Sequence, residues 1–235
     1  MSSICGIFSR RGSPLPRELI GAMTDVLGHW RVAGDPAGTW QNDSGTIALG
    51  QVMLANTPES LGERLPFHLA AAGLAITADA RLDNRDELGR QLGVPPLELV
   101  THPDSQLILR AYLEWGRECA ARLIGDFAFA IWYAREDRLL CARDQIGAKP
   151  LFYTLTGNLF GCATELKGIF RVTGRPRDLD PAWIANALRE KLARTRAWRL
   201  LRQEYQQAKA SGNKIPLGSL LSRLASGISP NPQCR

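Results

Sequence analysis

The sequence predicts an α+β fold built in layers, and three observations carry that expectation. Short apolar runs with strand character open the chain and dominate its second half up to residue 163. Helical spacing of apolar residues occurs in only a few stretches. The two kinds come in blocks, as strand, helix, several strands, two helices and then many strands, whereas a parallel βαβ protein alternates them. A Gly-rich phosphate loop and an internal repeat are both missing from the pattern.

Cys5–Phe8 (CGIF) is the first apolar run and reads as a strand. Leu15–Leu27 follows, with Leu19, Ile20, Met23 and Leu27 on one helical face; Ser13 is placed to cap it and Pro14 to occupy its first position. Residues 33–45 are rich in Gly, Asp, Asn and Pro and read as loop. Thr46–Leu54 and Leu74–Ala78 read as strands. A helix is expected over Asp83–Leu92, capped by Asp83 or Asn84, and another over Ser105–Trp115, with Asp104 at its cap. Phe127–Tyr133 and Leu139–Ala142 are expected to be adjacent strands joined by the polar turn Ala134–Arg138. Leu151–Thr154 and Leu159–Ala163 flank Thr156-Gly157-Asn158, a hairpin signal. A long helix with a basic surface is expected over Trp183–Ala208, and a fraying segment after it.

The chain has 235 residues and a formal net charge of +6. That charge is not spread evenly. Residues 189–235 hold ten Lys and Arg against two Glu, which leaves 19 basic and 21 acidic groups in the rest of the chain. No apolar stretch approaches the roughly 20 residues that span a bilayer. The first residues show no basic flank followed by an apolar core, so no secretory signal is read and the cytoplasm is the expected compartment. Five cysteines, widely spaced and without a CxxC pair, point to reduced thiols and against a zinc site. His29, His68 and His102 form no ligand cluster in sequence.

Two longer runs carry more information. Gly125–Trp132 (GDFAFAIW) is followed by Arg143–Leu151 (RDQIGAKPL), and Asp79–Asn84, Asp104–Leu109 and Ala163–Lys167 add to them. With Cys5–Phe8, this constellation resembles the class II glutamine amidotransferases, specifically the N-terminal domain of glutamine-hydrolysing asparagine synthetase and relatives such as the β-lactam synthetases and lasso-peptide cyclases. The resemblance covers about residues 4–187 and implies an αββα N-terminal nucleophile sandwich; residues 1–187 are read as that domain, and residues 188–235, which do not resemble the family's linker, as a basic helical and partly disordered tail. It also implies a reaction. A cysteine thiol attacks the carboxamide of glutamine, ammonia leaves, and water releases glutamate. ATP and Mg²⁺ belong to the family's synthetase domain, whose Ser-Gly-Gly-x-Asp-Ser loop this sequence lacks, so no cofactor is expected on this chain.

The resemblance assigns Cys5 the nucleophile position. The base in such chemistry is the nucleophile's own α-amine, and that of Cys5 is locked in the Ile4–Cys5 peptide bond; removing Met1 exposes Ser2 instead. Cys5 is therefore either a nucleophile freed by processing after Ile4 or a buried strand residue. The family's oxyanion-hole pair Asn-Gly corresponds to Asp79-Ala80, which puts an acceptor-only carboxylate where a donor belongs. The arginine that holds the substrate carboxylate is absent from Gly50–Leu54 (GQVML), with Arg31 as the nearest substitute. Asp104 matches the acid that binds the glutamine α-ammonium; a helix cap explains it equally well. Arg143 and Asp144 are expected to pair within a structural turn fixed by Gly147 and Pro150.

The expectation is a degenerate glutaminase domain, weak or inactive, with a structural role beside a separate synthetase subunit or in a homo-oligomer. An active glutaminase processed to Cys5 is the first alternative. A non-enzymatic interaction protein acting through its basic tail is the second; nucleic-acid binding is disfavoured for want of a reader motif.

Overall fold

The computed structural model describes residues 2–30, 37–55 and 58–173, with residues 181–183, 185–187, 203 and 210 beyond them. The chain divides into two compact units, Met1–Pro176 and Arg177–Arg235. In the second unit the described residues are helical, and Trp183 is exposed. Most of the basic helix expected over 183–208 lies outside the described residues, as does Arg31.

The first unit begins with β1 (Ser3–Ser9) and α1 (Arg17–Leu27), followed by β2 (Ala37–Gln41), β3 (Ile47–Val52), β4 (Phe67–Leu69) and β5 (Leu74–Leu82). The helices α2 (Arg85–Gln91), α3 (Pro96–Leu99) and α4 (Asp104–Trp115) come next. Then β6 (Gly125–Tyr133), β7 (Arg138–Arg143), β8 (Phe152–Thr156) and β9 (Leu159–Ala163) precede α5 (Leu166–Thr173). Two antiparallel sheets result, ordered β2-β3-β1-β9-β8 and β4-β5-β6-β7. The first carries α1 and α5, and the second carries α4. This is the αββα sandwich.

Three apolar clusters fill the layers. Cys5, Ile7, Ile20, Met23, Leu27 and Ala163 lie between the first sheet and its helices. Ile76, Ala78, Leu82, Leu107, Ile108 and Phe129 lie between the second sheet and α4. Ile47, Leu49, Ala75, Ala130, Trp132 and Cys162 form the inter-sheet core, with Phe8 packed on them. The Phe8 and Trp132 rings meet across the sheets with centroids 5.2 Å apart. A buried polar clasp joins the same two sheets. The Thr77 hydroxyl donates to Gln51 Oε1 at 2.6 Å, and Gln51 Nε2 donates to the Ala78 carbonyl at 3.1 Å.

Several expectations shift. Helix α1 starts at Arg17 rather than at Pro14, and its capping position is Pro16, which has no capping side chain. A strand, β2, falls inside the stretch read as loop, because its pairing with β3 supplies what its composition does not. Asp104 is the first helical residue of α4, not its cap, and Asn84 spends its side chain on Arg122 and Ile124 instead of on α2. The β8–β9 hairpin forms as read: Thr156 pairs with Leu159, and Gly157 takes φ +57° in the two-residue turn.

Candidate active site at the mouth of the inter-sheet layer

Alternation along β1 decides what this strand can offer. Successive side chains point to opposite faces. Cys5 and Ile7 enter the cluster beneath α1. Phe8 enters the inter-sheet core, and a Cβ added to Gly6 would meet Cys162 Sγ and Leu49 there. Ile4, Gly6 and Phe8 thus share the parity that faces the opposite sheet. A one-residue offset exchanges the faces, and Cys5 is on the helix side.

Cys5 is fully enclosed. Its Sγ lies 3.7 Å from Thr24 Oγ1, and Gly50 opposite it on β3 is pressed so close that an added Cβ would sit 2.7 Å from the sulfur. Burial pushes the thiol up to about 12, against the smaller opposing effect of the Thr24 hydroxyl. A thiolate is the nucleophilic form, and apolar burial withholds it. Cys5 does not line the cavity at the start of β1.

Ser2 immediately precedes β1. An open cavity of about 490 Å³ is lined by Ser2, Ser3, His29, Leu54, Asp79, Pro150, Thr164 and Glu165. The Ser2 hydroxyl accepts the Leu54 N–H at 3.0 Å and reaches the Leu54 carbonyl at 3.3 Å. Thr164 ties the strand down beside it, its hydroxyl accepting the Ile4 N–H at 3.1 Å.

Asp79 shares the parity of Ala75 and Thr77 on β5, so it points between the sheets. Lys149 meets it there, with Nζ 3.1 Å from one carboxylate oxygen and 3.0 Å from the other. Both side chains are less than a tenth exposed. Burial raises the Asp79 pKa, and the Lys149 ammonium and the Ser2 N–H oppose that rise. The expected clash between an anion at position 79 and a developing oxyanion is therefore altered. The carboxylate is neutralised by a neighbouring cation, and its partner is itself a three-proton donor.

The motif Arg143–Leu151 is how Lys149 gets there. Asp144 accepts the Ala148 N–H at 2.8 Å on one oxygen and the Lys149 N–H at 2.9 Å on the other. Gly147 takes φ +69° to make the turn. Burial alone would raise the Asp144 pKa, but the main-chain N–H groups of Lys149 and Ala148 outweigh it and hold the carboxyl below its ordinary range. The expected Arg143–Asp144 pair does not form among the described residues. Asp144 instead folds the turn that presents Lys149.

Ala80 follows Asp79 in regular strand pairing opposite Phe127 and packs toward α4, away from the cavity. Asp104 is also apart from it. Its carboxylate accepts the Leu82 N–H at 3.0 Å and an ion pair from Arg85. Arg85 in turn donates to the Leu99 and His102 carbonyls at 2.7 Å each. Of the four residues singled out in sequence, only Asp79 lies in the cavity. Ser2 and Lys149 were missed as site residues. The second sat inside the strongest motif but needed a partner 70 positions away.

The glutamine amidotransferase domain model matches residues 1–209. The chain is 30% identical over 183 residues to amidase chry2 of Gibberella zeae, covering 78% of this chain and 25% of that protein. It is 30% identical over 155 residues to asparagine synthetase [glutamine-hydrolyzing] 3 of Bacillus subtilis, covering 65% of this chain and 24% of that protein. The chain thus spans about a quarter of the length of these relatives. Among solved structures, glutamine phosphoribosylpyrophosphate amidotransferase from B. subtilis superposes with a TM-score of 0.57 at 20% identity, over 73% of this chain and 43% of that one. That likeness speaks to the fold, which is the same sandwich. The matched domain, the relatives and the layered architecture agree: this chain belongs to the class II glutamine amidotransferase domains of the asparagine synthetase family.

Proposed function

We propose that this domain is degenerate as a cysteine glutaminase and serves an ATP-dependent amide-forming system through a structural or partner role. The observation that carries the reading is the enclosure of Cys5 on the helix side of β1, with its thiol pushed up to about 12. Two further features support it. Gly50–Leu54 contains no arginine to hold a substrate carboxylate, and both oxygens of Asp104 are engaged by Leu82 and Arg85 rather than open to a substrate ammonium.

The relatives are about four times the length of the matched region, so the natural partner in this reading is a synthetase part, on the same chain or a separate one. ATP and Mg²⁺ would act there, and the working compartment would be the cytoplasm. Processing after Ile4 to free Cys5 is the competing reading. It would remove the β1 residues that pair with Val52 and Gln51 and the three hydrogen bonds between Ile4 and Thr164. The basic tail as an interaction element concerns residues outside those described.

Glutamate release from glutamine, with the N-terminal mass recorded on the same sample, tests the proposal. The expected outcome is no release that depends on Cys5, so that wild type and Cys5→Ala are indistinguishable. Turnover abolished by Cys5→Ala would overturn it.

A further inference from the structure

Two cysteines that the Asp79 cavity does not use meet across the sandwich. Cys141 lies on β7, the edge strand of the second sheet, and Cys162 lies on β9, next to the edge of the first. Their sulfurs are in contact at 3.7 Å. We propose that Cys141 and Cys162 form a thiol–disulfide exchange site, which takes up a small organic disulfide and converts it into a reversible cross-link between the two sheets. This site shares no lining residue with the Asp79 cavity and needs neither Cys5 nor glutamine.

Strand register sets the meeting. Cys141 stands opposite Ala130 and Cys162 opposite Gly6. Ala130 and Cys162 belong to the inter-sheet core, and Cys141 packs on it. Gly6 has no side chain, and a Cβ added there would come within 3.1 Å of the Cys162 sulfur. Small neighbours on both strands thus leave the sulfurs space. Both cysteines also line an open cavity of about 540 Å³ between β7 and the β8–β9 hairpin, together with Leu139, Leu151, Tyr153 and Phe160. That cavity can hold the organic group of a small disulfide while exchange proceeds. Among the described residues no third His, Cys, Asp or Glu joins the pair to hold a metal ion, so it lacks the ligand set of a zinc site.

The two thiols are unequal, and that fixes the order of events. Cys141 is partly exposed and Cys162 is fully enclosed. Contact with Cys141, and then burial, hold the Cys162 thiol well above its ordinary range. Exchange depends on access and on the thiolate fraction, so Cys141 attacks first and Cys162 resolves.

The chemistry balances with the small disulfide, R–S–S–R, as the oxidant. Cys141 loses its proton to solvent, and its thiolate attacks one sulfur of R–S–S–R. The S–S bond breaks, the leaving RS⁻ is protonated, and the mixed disulfide of Cys141 with RS remains. Cys162 then loses its proton and attacks the Cys141 sulfur, expelling the second RS⁻, which takes up a proton. In sum two cysteine thiols give up two electrons and two protons, and R–S–S–R becomes two RSH. The new bond closes residues 141–162 into a loop that includes Asp144 and Lys149. In a reducing compartment such bonds are transient, so the pair rests as free thiols.

The experiment uses the reduced full-length protein and oxidised glutathione as the probe, with Cys234→Ser in every sample because Cys234 lies outside the described residues. Trypsin cleaves after Arg143 and so places the two cysteines in different peptides. Native protein should lose two thiols, retain no glutathione and yield the Cys141–Cys162 peptide pair. Dithiothreitol should restore both thiols. The oxidised protein should unfold at higher urea than the reduced one, because the cross-link restrains the unfolded chain. Cys162→Ala should stop at a glutathione adduct on Cys141. Cys141→Ala should react at least about tenfold more slowly, since only the enclosed thiol is left to attack. A lasting glutathione adduct on the wild-type chain, a cross-link through Cys5 or Cys119, reaction only after unfolding, or an oxidised form no more stable than the reduced one would each overturn the proposal. All four are read on chains that keep both cysteines, so a folding defect in either variant leaves the test intact.

Discussion

Asp79 and Asp104 are both nearly enclosed, both raised by burial, and both tied to a single cation, yet they sit in opposite settings. Asp104 is at the start of α4, on the outer side of the second sheet. Its partners form a closed set: the Leu82 N–H, Arg85, and through Arg85 the carbonyls of Leu99 and His102. Asp79 is one layer inward, where β5 faces the first sheet, and its cation arrives from a turn folded by Asp144. One carboxylate locks α2, α3 and α4 to the sheet, and the other borders open space. The residue type is the same, and the layer into which the strand turns it sets what it does.

Breaking the closed set should have the largest effect. Arg85→Ala leaves Asp104 buried without its cation and two carbonyls without their donor, and should cost about 3–5 kcal/mol of stability in urea unfolding. Asp104→Asn should recover part of that loss in the Arg85→Ala background, because it removes the stranded charge.

Asp144 sharpens the comparison from the other direction, since main-chain N–H groups hold its pKa below the ordinary 3.8. Its contribution is present above the unfolded value and lost as pH falls through the folded one. Asp144→Asn should cost about 1–3 kcal/mol at neutral pH. The deficit should shrink as the solution is acidified below the ordinary range, followed by unfolding at a series of pH values.

Lys149→Met should produce a deficit with the same pH direction from a different cause. Asp79 loses the cation that offsets burial, so its folded pKa rises further above 3.8. A raised carboxyl contributes stability that is full below the unfolded value and lost as pH rises through the folded one. The deficit of Lys149→Met should therefore be small in acid and grow toward about 1–3 kcal/mol at neutral pH. An equal deficit at all pH values would mean that Lys149 contributes packing and not charge.

Asp79→Asn is the mildest of the set. The amide keeps an acceptor for Lys149 and, bordering a cavity, leaves room for water to serve the rest. A cost of about 1 kcal/mol is expected in the same assay. A cost as large as that of Arg85→Ala would erase the distinction between the closed site and the open one.

Much of the fold was legible because it is local. Short apolar runs marked β1, β3, β5, β6 and β9, and Gly157-Asn158 marked the last hairpin. The motifs at Gly125–Trp132 and Arg143–Leu151 placed the chain in its family. Strand β2 was not legible, since a Gly- and Asp-rich segment becomes a strand only when β3 offers it a ladder. The site was legible in part. Asp79 was found, but Cys5 drew attention by its chemistry while its position in the alternation turned it into the core.

The sequence by itself determined which segments become strands and helices, where the hairpin turns, and that Cys5 and Phe8 fall on opposite faces of β1, because these depend on neighbours a few residues away. Only the tertiary structure decided which of those faces opens on a cavity, that Lys149 neutralises Asp79 and that Arg85 seals Asp104. The partners in each pair approach through packing of separate elements, and burial, which sets both their pKa values and their availability, exists only once the two sheets and their helices have closed on one another.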